Sequence, residues 1–450
     1  MSKVIKIKKG LNINMLGMAE KIIKKADQAE FYAVKPTDFP GIRPKLVVKV
    51  GDKVKAGTPL FFDKFQPEVQ FTAPVSGEIT EINRGERRVI QEIVIKADAT
   101  IEYEKFDVGD LKNLTREKIV ETLQKSGLWP TIRQRPYSTI ANPNDIPKTI
   151  FISAFESAPL APDMDYVVKE CVDCFQKGID VLSKLTDGKI HININADYPA
   201  AETFTNAKGV QINKFTGPHP AGNVGVQINK IDPINKGDIV WYTYPQEIIS
   251  IGRLFDSGTY DATKIIALAG SEVKNPKYYK IINGASIKNI VKNNVKEGDL
   301  RYISGNVLTG SKIEKDAYVG YYHNQVTVIP EGNFHEFFGW AKPGFKKHSA
   351  SRAVFSWLIP GRKYKLNTNF HGGNRAYVMT GEYNKVFPMD IFPVQLIKSI
   401  LVEDIDKMEQ LGIYEVDEED FALCEYVCTS KTEVQSIIRT GLDLMKKEMS

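Results

Sequence analysis

The chain has 450 residues, 42% hydrophobic and 26% charged, with 60 Lys and Arg against 55 Asp and Glu and a formal net charge of +5. At about 100–200 residues per domain this length implies three or four domains; so mild a charge argues against a dedicated nucleic-acid binder but leaves room for an acidic partner or an anionic membrane face. Four cysteines do not make a disulfide scaffold and fit a reducing cytoplasm, no apolar run approaches the ~18 residues of a membrane span, and the basic start from Met1 to Lys9 lacks the apolar core of a signal peptide or anchor.

The first segment reads as a small β unit. Leu46, Val48 and Val50 share one side of an extended run, Gly51-Asp52 turns the chain, and Gly57-Thr58-Pro59 turns it again into Leu60-Phe61-Phe62. Short period-two strands between Gly/Pro turns imply a β sandwich or barrel. The pattern V-x-x-G-D-x-V-x-x-G-x-P-L from Val48, followed by Ala73-Pro74-Val75-Ser76-Gly77, resembles the biotinyl/lipoyl-like hybrid barrel. Where biotinyl domains carry the modified lysine, the hairpin Lys64-Phe65-Gln66-Pro67 has Gln66, so the resemblance implies an adaptor without a swinging arm.

The middle segment alternates helix and strand. Arg116 to Lys125 predicts a helix capped by Gly127, and Lys148 to Ile152 a strand. Met164 to Leu185 reads as one long helix with Val167, Cys171, Cys174, Val181 and Leu185 on its apolar stripe. At that spacing Cys171 and Cys174 are core residues, since a zinc or redox C-x-x-C sits at a helix start or turn. Ile190, Ile192 and Ile194 form a strand that places His191 on its polar face, at the surface. Asp238 to Tyr242 is a strand, Pro245 opens a helix ending at Gly258, and Thr263 to Ala269 is a further strand. This rhythm means an α/β domain with a largely parallel sheet. Between these elements Thr216-Gly217-Pro218-His219-Pro220-Ala221-Gly222-Asn223-Val224-Gly225-Val226 packs glycines, prolines and a histidine into a loop with a strand-like tail (Val226, Ile228). Such a loop presents something to a ligand or a neighbouring strand.

Beyond it, Gly284 to Ile287, Arg301 to Gly310 and a β run from Tyr318 to Ile329 resemble the SLBB (soluble-ligand-binding β-grasp) domain. Basic loops follow at Pro343–His348 and Pro360–Lys365. The last hundred residues read as helical. One helix starts at Pro393 with Leu396, Ile397, Ile400, Leu401, Ile405, Met408 and Leu411 inward and ends at Gly412. Asp417 is placed as a cap, and Ser430-Lys431-Thr432-Glu433 as a capping box. Cys424 and Cys428 are too few thiols for an iron–sulfur cluster. The fold class expected is therefore multidomain α/β and α+β: a hybrid β barrel over 1–103, a Rossmann-like α/β domain over 104–258, an SLBB β-grasp domain over 259–330, and a mostly helical docking domain over 331–450.

These pieces together resemble the A subunits of the Na+-translocating NADH:quinone oxidoreductase. The residues that carry the likeness are Lys3 to Gly17, Asp38-Phe39-Pro40-Gly41-Ile42-Arg43-Pro44-Lys45, Gly127-Leu128-Trp129-Pro130, Arg133-Gln134-Arg135-Pro136, Gly217 to Gly222, and Leu423-Cys424-Glu425-Tyr426-Val427-Cys428. The family is similar to the flavin-binding subunit of complex I and the C subunit of the Rnf complex. Those carry a glycine-rich phosphate loop where this chain has Gly127 to Pro136, without the later glycines. Their second loop, Y-P-x-G-x-E, corresponds to His219-Pro220-Ala221-Gly222-Asn223-Val224.

The resemblance implies a peripheral subunit on the cytoplasmic face of the bacterial inner membrane, without its own redox cofactor. FMN and iron–sulfur clusters would lie in other subunits (B to F), with the membrane-embedded B subunit the chief partner and quinone the ligand. A quinone head group wants an apolar slot with one or two donors. Phe39, Trp129, Arg133, Arg135, Tyr137 and His219 lie beside the relatives' nucleotide loops and are the candidate quinone contacts; no catalytic or metal-binding residue is expected. An adaptor with no ligand is the alternative. A flavoprotein in its own right would be yellow, and the lost glycines speak against it.

Overall fold

A computed structural model describes residues 4–339, 342–359 and 361–449. Its central sheet has seven strands in the order Val4–Lys6, Gln211–Thr216, Lys189–Asn195, Thr149–Ser153, Val240–Thr243, Arg133–Arg135 and Thr139–Ile140. The four strands between residues 149 and 243 are parallel. In chain order they lie 3-2-1-4 across the sheet, the doubly wound arrangement, and the order reverses between Thr149–Ser153 and Val240–Thr243. Sheets of this kind are apolar on both faces, and Ile150, Phe151 and Ile152 are all fully buried. That is why His191 is not at the surface. It is buried, its ring stacked on Phe151 at 4.7 Å and its Nδ1 3.1 Å from Asn213 Nδ2.

Two other elements differ from the sequence expectation. The tail of the Gly/Pro loop is a helix, Val224–Ile231. Val226 and Ile228 fit a strand, but Val224, Ile228 and Ile231 fit a helix face equally, and the helix is what buries Val224 and Ile228 together. The expected long helix is two, Met164–Val168 and Val172–Leu182, broken at half-buried Cys171. The second packs on Pro245–Ser257 so closely that both crossing points are glycine. A Cβ on Gly178 would run into the backbone of Ile248, and one on Gly252 into the carbonyl of Cys174.

A second sheet of six strands runs Ser311–Ile313, Leu300–Ser304, Gln325–Pro330, Thr263–Ala269, Lys277–Ile282 and Glu20–Lys25. Thr263–Ala269 thus leaves the α/β rhythm for the β-grasp sheet. The expected β run from Tyr318 shrinks to Gln325–Pro330, because residues 321–324 turn inward to face the α/β unit. The barrel is built from two small sheets, one of Phe31–Val34, Ile90–Ala97, Gly77–Arg84 and Lys53–Val54, the other of Pro44–Leu46, Pro59–Asp63 and Gln70–Thr72. Its Lys64–Gln66 hairpin tip carries an exposed Phe65.

The chain's first strands belong to neither barrel sheet. Val4–Lys6 pairs in parallel with Gln211–Thr216, and Glu20–Lys25 with Lys277–Ile282, so the N-terminal segment threads both larger sheets before the barrel begins.

At the other end, the residues from 331 to 381 hold no helix among those described except the 3₁₀ turn Phe355–Leu358, so the last hundred residues are not wholly helical. The expected helix from Pro393 divides into Pro393–Leu401 and Ile405–Gln410, with Glu403 at positive φ between them and Leu401 exposed. Ser430 does not cap Val434–Met449; its hydroxyl donates to the Ala376 carbonyl. Of the two basic loops, Pro360 lies outside the described residues.

Candidate functional site

Ligands of doubly wound sheets bind beyond the carboxyl ends of the strands, where the strand order reverses. A cleft of about 470 Å³ lies at that place. Glu156 and Ser157, which follow Thr149–Ser153, and Tyr244, which follows Val240–Thr243, line it from the two sides of the reversal. The barrel loop contributes Asp38 and Pro40, the β-grasp sheet Tyr322 and His323, and the C-terminal helices Glu419 and Arg439. Four parts of the chain thus converge on one cavity.

Two histidines in this wall are built alike. Ser157 Oγ accepts the Gly222 N–H at 2.8 Å and lies 3.0 Å from His219 Nδ1. Ser304 Oγ accepts the Gly320 N–H at 2.9 Å and lies 2.8 Å from His323 Nδ1. Burial pushes His219 down to about 4 and, with the charges of Lys35 and Lys264, His323 down to about 3. Both rings are therefore neutral at physiological pH. A serine that donates to Nδ1 leaves the imidazole proton on Nε2, the tautomer in which the neutral ring is a donor.

Beneath them lies a layer of arginines and carboxylates. The strand Arg133–Arg135 leads into a turn where Tyr137 and Ser138 adopt positive φ. That turn brings Ser138 Oγ to 2.6 Å from both Asp417 Oδ2 and Tyr242 Oη. The Arg135 side chain, fully buried, lies 3.4 Å from Asp417, 3.4 Å from Glu419 and 3.3 Å from Asp420. Arg133 lies over the rings of Tyr242 and Tyr322 at 5.2 and 5.0 Å and donates to Ser138. Arg439 adds contacts to Glu418 and the Tyr137 carbonyl. Burial, and then the crowding of like charges, raises Glu418 to about 7, Glu419 to about 8 and Asp420 to about 6, while the two arginines hold Asp417 low. The acidic floor is consequently less negative than its composition suggests.

Of the six candidate contacts, the structure brings Arg133 and His219 together in the cleft. Phe39 packs on Phe71, Tyr321 and Tyr322 and lines a separate cavity of about 20 Å³, room for a single water. Trp129 is core: fully buried, edge-on to Trp241 at 5.5 Å, its Nε1–H on the Ala141 carbonyl. Arg135 is committed to the carboxylates, and Tyr137 stands against Tyr414 outside the cleft. Sequence reading missed Ser157, Tyr244, Tyr322, His323, Glu419 and Arg439. Position just past a parallel strand could have flagged Ser157 and Tyr244; the others reach the cleft only through tertiary packing.

The phosphate-loop counterpart does not fit a nucleotide. Trp129–Thr131 is a buried 3₁₀ turn in which Pro130 has no N–H. The N–H groups of Thr131 and Ile132 are spent on the Leu128 and Trp129 carbonyls. A phosphate cradle needs free converging N–H groups.

Sheet order and barrel define a multidomain protein in which a doubly wound α/β unit is joined to a hybrid barrel and a β-grasp sheet, with a cleft at the switch point. Three family models match in succession: the NqrA N-terminal barrel-sandwich hybrid domain over residues 5–98, the NqrA second alpha/beta domain over 114–260, and the NQRA C-terminal domain over 265–315. Full-length relatives include the A subunit of the Na(+)-translocating NADH-quinone reductase of Pasteurella multocida, 39% identical, and that of Neisseria meningitidis serogroup A, 41% identical. Each match covers 99% of this chain and 100% of the relative. The chain belongs to the family of Na(+)-translocating NADH-quinone reductase A subunits. Among solved structures, NAD+-reducing [NiFe]-hydrogenase in its H2-reduced state is similar with a TM-score of 0.40 at 10% identity, over 74% of this chain and 61% of that one, too slight a likeness to build on. No helix among the described residues is long and apolar enough to cross a membrane, and no group of three or more His, Cys, Asp or Glu is placed to hold a metal ion.

Proposed function

We propose that this chain works as the A subunit of a Na+-translocating NADH–quinone reductase, peripheral on the cytoplasmic face, with the membrane-embedded B subunit its chief neighbour. The switch-point cleft receives the quinone head group, or forms the protein wall of a site completed by that neighbour. The observation that carries this reading is the pair of neutral histidines, His219 and His323, in one cavity. A quinone presents two carbonyl oxygens at opposite ends of a flat ring. Neutral donors can hold both without favouring a charged form, while Tyr244 and Tyr322 supply aromatic wall. The chain supplies no electrons in this reading. FMN and clusters reside in other subunits, and the closed turn at Trp129 fits a chain without a nucleotide of its own.

The adaptor reading has its own support, since Trp129, Arg135 and Tyr137 are all engaged in packing. A short-chain ubiquinone titrated into the folded full-length chain, followed by tryptophan fluorescence and calorimetry, separates the two. Saturable binding that weakens about tenfold in His219→Ala and His323→Ala, with the thermal midpoint little changed, supports the cleft. Equal binding in both variants rules out the histidine cleft, and no binding to the folded wild type moves the site to the interface with the neighbour or into that neighbour, leaving this chain as wall or adaptor.

A further inference from the structure

Between residues 331 and 379 the sequence has eight Lys or Arg against two Glu, a surplus that by itself exceeds the net charge of the whole chain. Eleven of the 27 exposed large apolar side chains found among the described residues fall in the same stretch. Phe337 is 83% exposed, Phe355 53%, Leu358 55% and Trp357 49%. Only the 3₁₀ turn Phe355–Leu358 and an isolated bridge at Tyr364 give the segment regular structure among the described residues. It is nevertheless anchored. Tyr364 is buried and pairs with Met15 in the N-terminal segment, His348 meets the Tyr426 hydroxyl at 2.7 Å, and Asn369 Nδ2 donates to the Phe334 carbonyl. The aromatic rings are thus held outward from a fixed base.

Monomer surfaces rarely leave so much apolar side chain exposed along one stretch of chain without a partner. The charges indicate which partner. Lys342 and Lys347 share Glu336, and Lys365 meets Glu272. Lys346, Arg362, Lys363 and Arg375 have no ion pair among the described residues. Protein–protein interface cores are depleted in lysine, whereas five of these eight cations are lysine. Aromatic side chains interleaved with Lys and Arg match the head-group zone of an anionic bilayer, where rings sit at the interface and each cation gains from the surface potential.

We propose that the exposed side chains described between residues 334 and 379 rest directly on an anionic lipid membrane, with Phe337, Phe345, Phe355 and Trp357 entering the head-group zone and Lys346, Arg362 and Lys363 meeting lipid phosphates. This leans on the assembly reading only for the nearness of a membrane. Quinone plays no part in the test, so the two stand or fall separately.

The experiment is co-sedimentation of the full chain with vesicles of phosphatidylcholine alone and with phosphatidylglycerol added. Binding is expected only where the anionic lipid is present, and it falls as salt is raised. The exposed double variants K346E/K363E and F337S/W357S each lose about tenfold or more in partition, with thermal midpoints unchanged. A folded wild type that does not prefer anionic vesicles overturns the proposal, and so do variants that bind as the wild type does. If vesicles are not bound but the same variants fail to co-purify with the other subunits, the surface belongs to a protein neighbour and the lipid proposal is wrong.

Discussion

Arg135 shows how far a single side chain can bind distant sequence together. It sits on a strand that runs antiparallel beside Val240–Thr243, yet three carboxylates from the 417–420 turn surround it. Removing one partner of a buried ionic group leaves charges without compensation, at a cost of about 3–5 kcal/mol. Arg135→Met is expected to lower the urea midpoint by that order. Asp417→Asn and Asp420→Asn added to it should restore much of the loss, because the carboxylates are then no longer stranded. Carboxyls of this cluster, together with Glu156 elsewhere in the cleft wall, set a pH dependence. Glu156 and Glu418 are raised to about 7 and Glu419 to about 8, burial being the first cause for each. Between the ordinary carboxyl range and those values the folded state holds protons that the unfolded chain has released. His219 and His323, held below their ordinary value, oppose this while the histidines of the unfolded chain titrate, so the net fall in stability comes as pH rises from about 6.5 to about 8. Thermal midpoints across that window should decline, and Glu419→Gln should flatten the decline. Glu418 is partly exposed, so its share is reduced by solvent screening.

At the level of elements, the helix pair Val172–Leu182 and Pro245–Ser257 depends on two missing side chains. Gly252→Val places atoms where the Cys174 carbonyl stands and must push the helices apart. Overpacking of this kind costs about 1–3 kcal/mol, read as a lowered denaturation midpoint, while Ser250→Ala on the same helix should be nearly silent. Helix ends and turns were legible in the sequence where a residue type dictates geometry. Gly127 and Gly258 both sit at positive φ as helix stops, and Pro245 opens its helix. The strands were legible by period, but which sheet a strand joins was not, as Val4–Lys6 and Glu20–Lys25 demonstrate. Nor was the break at Cys171, since the apolar spacing runs through it without interruption. The cleft was half legible. Arg133 and His219 fall in stretches that stand out in composition, whereas His323 and Glu419 carry no local mark and arrive through packing of remote segments. Trp129 misled for a physical reason: a large aromatic in a turn suits a ligand wall and a core equally, and its indole partner Trp241 lies 112 residues on.

For the whole molecule, the N-terminal thread is the piece that joins the two larger sheets. A chain lacking residues up to 25 would leave Gln211–Thr216 and Lys277–Ile282 as open sheet edges. Exposed edges invite pairing between molecules. Such a truncation is expected to give oligomers or aggregates by size-exclusion chromatography, where the full chain gives a single species. A truncation that remained a single species would mean the strands add little to either sheet.

The same thread dictates the order in which the protein can be made. Val4 pairs with Lys214 and Glu20 with Lys277, so the segment leaving the ribosome first finds its partners only after about half the chain or more has followed. At about 5–20 residues per second, on the order of 10–50 s separate the synthesis of the two members of each pair. Neither large sheet can be completed during that interval. The two barrel sheets, whose strands all lie between residues 31 and 97, can close meanwhile, with only the Tyr32 bridge to Ala285 left to form later.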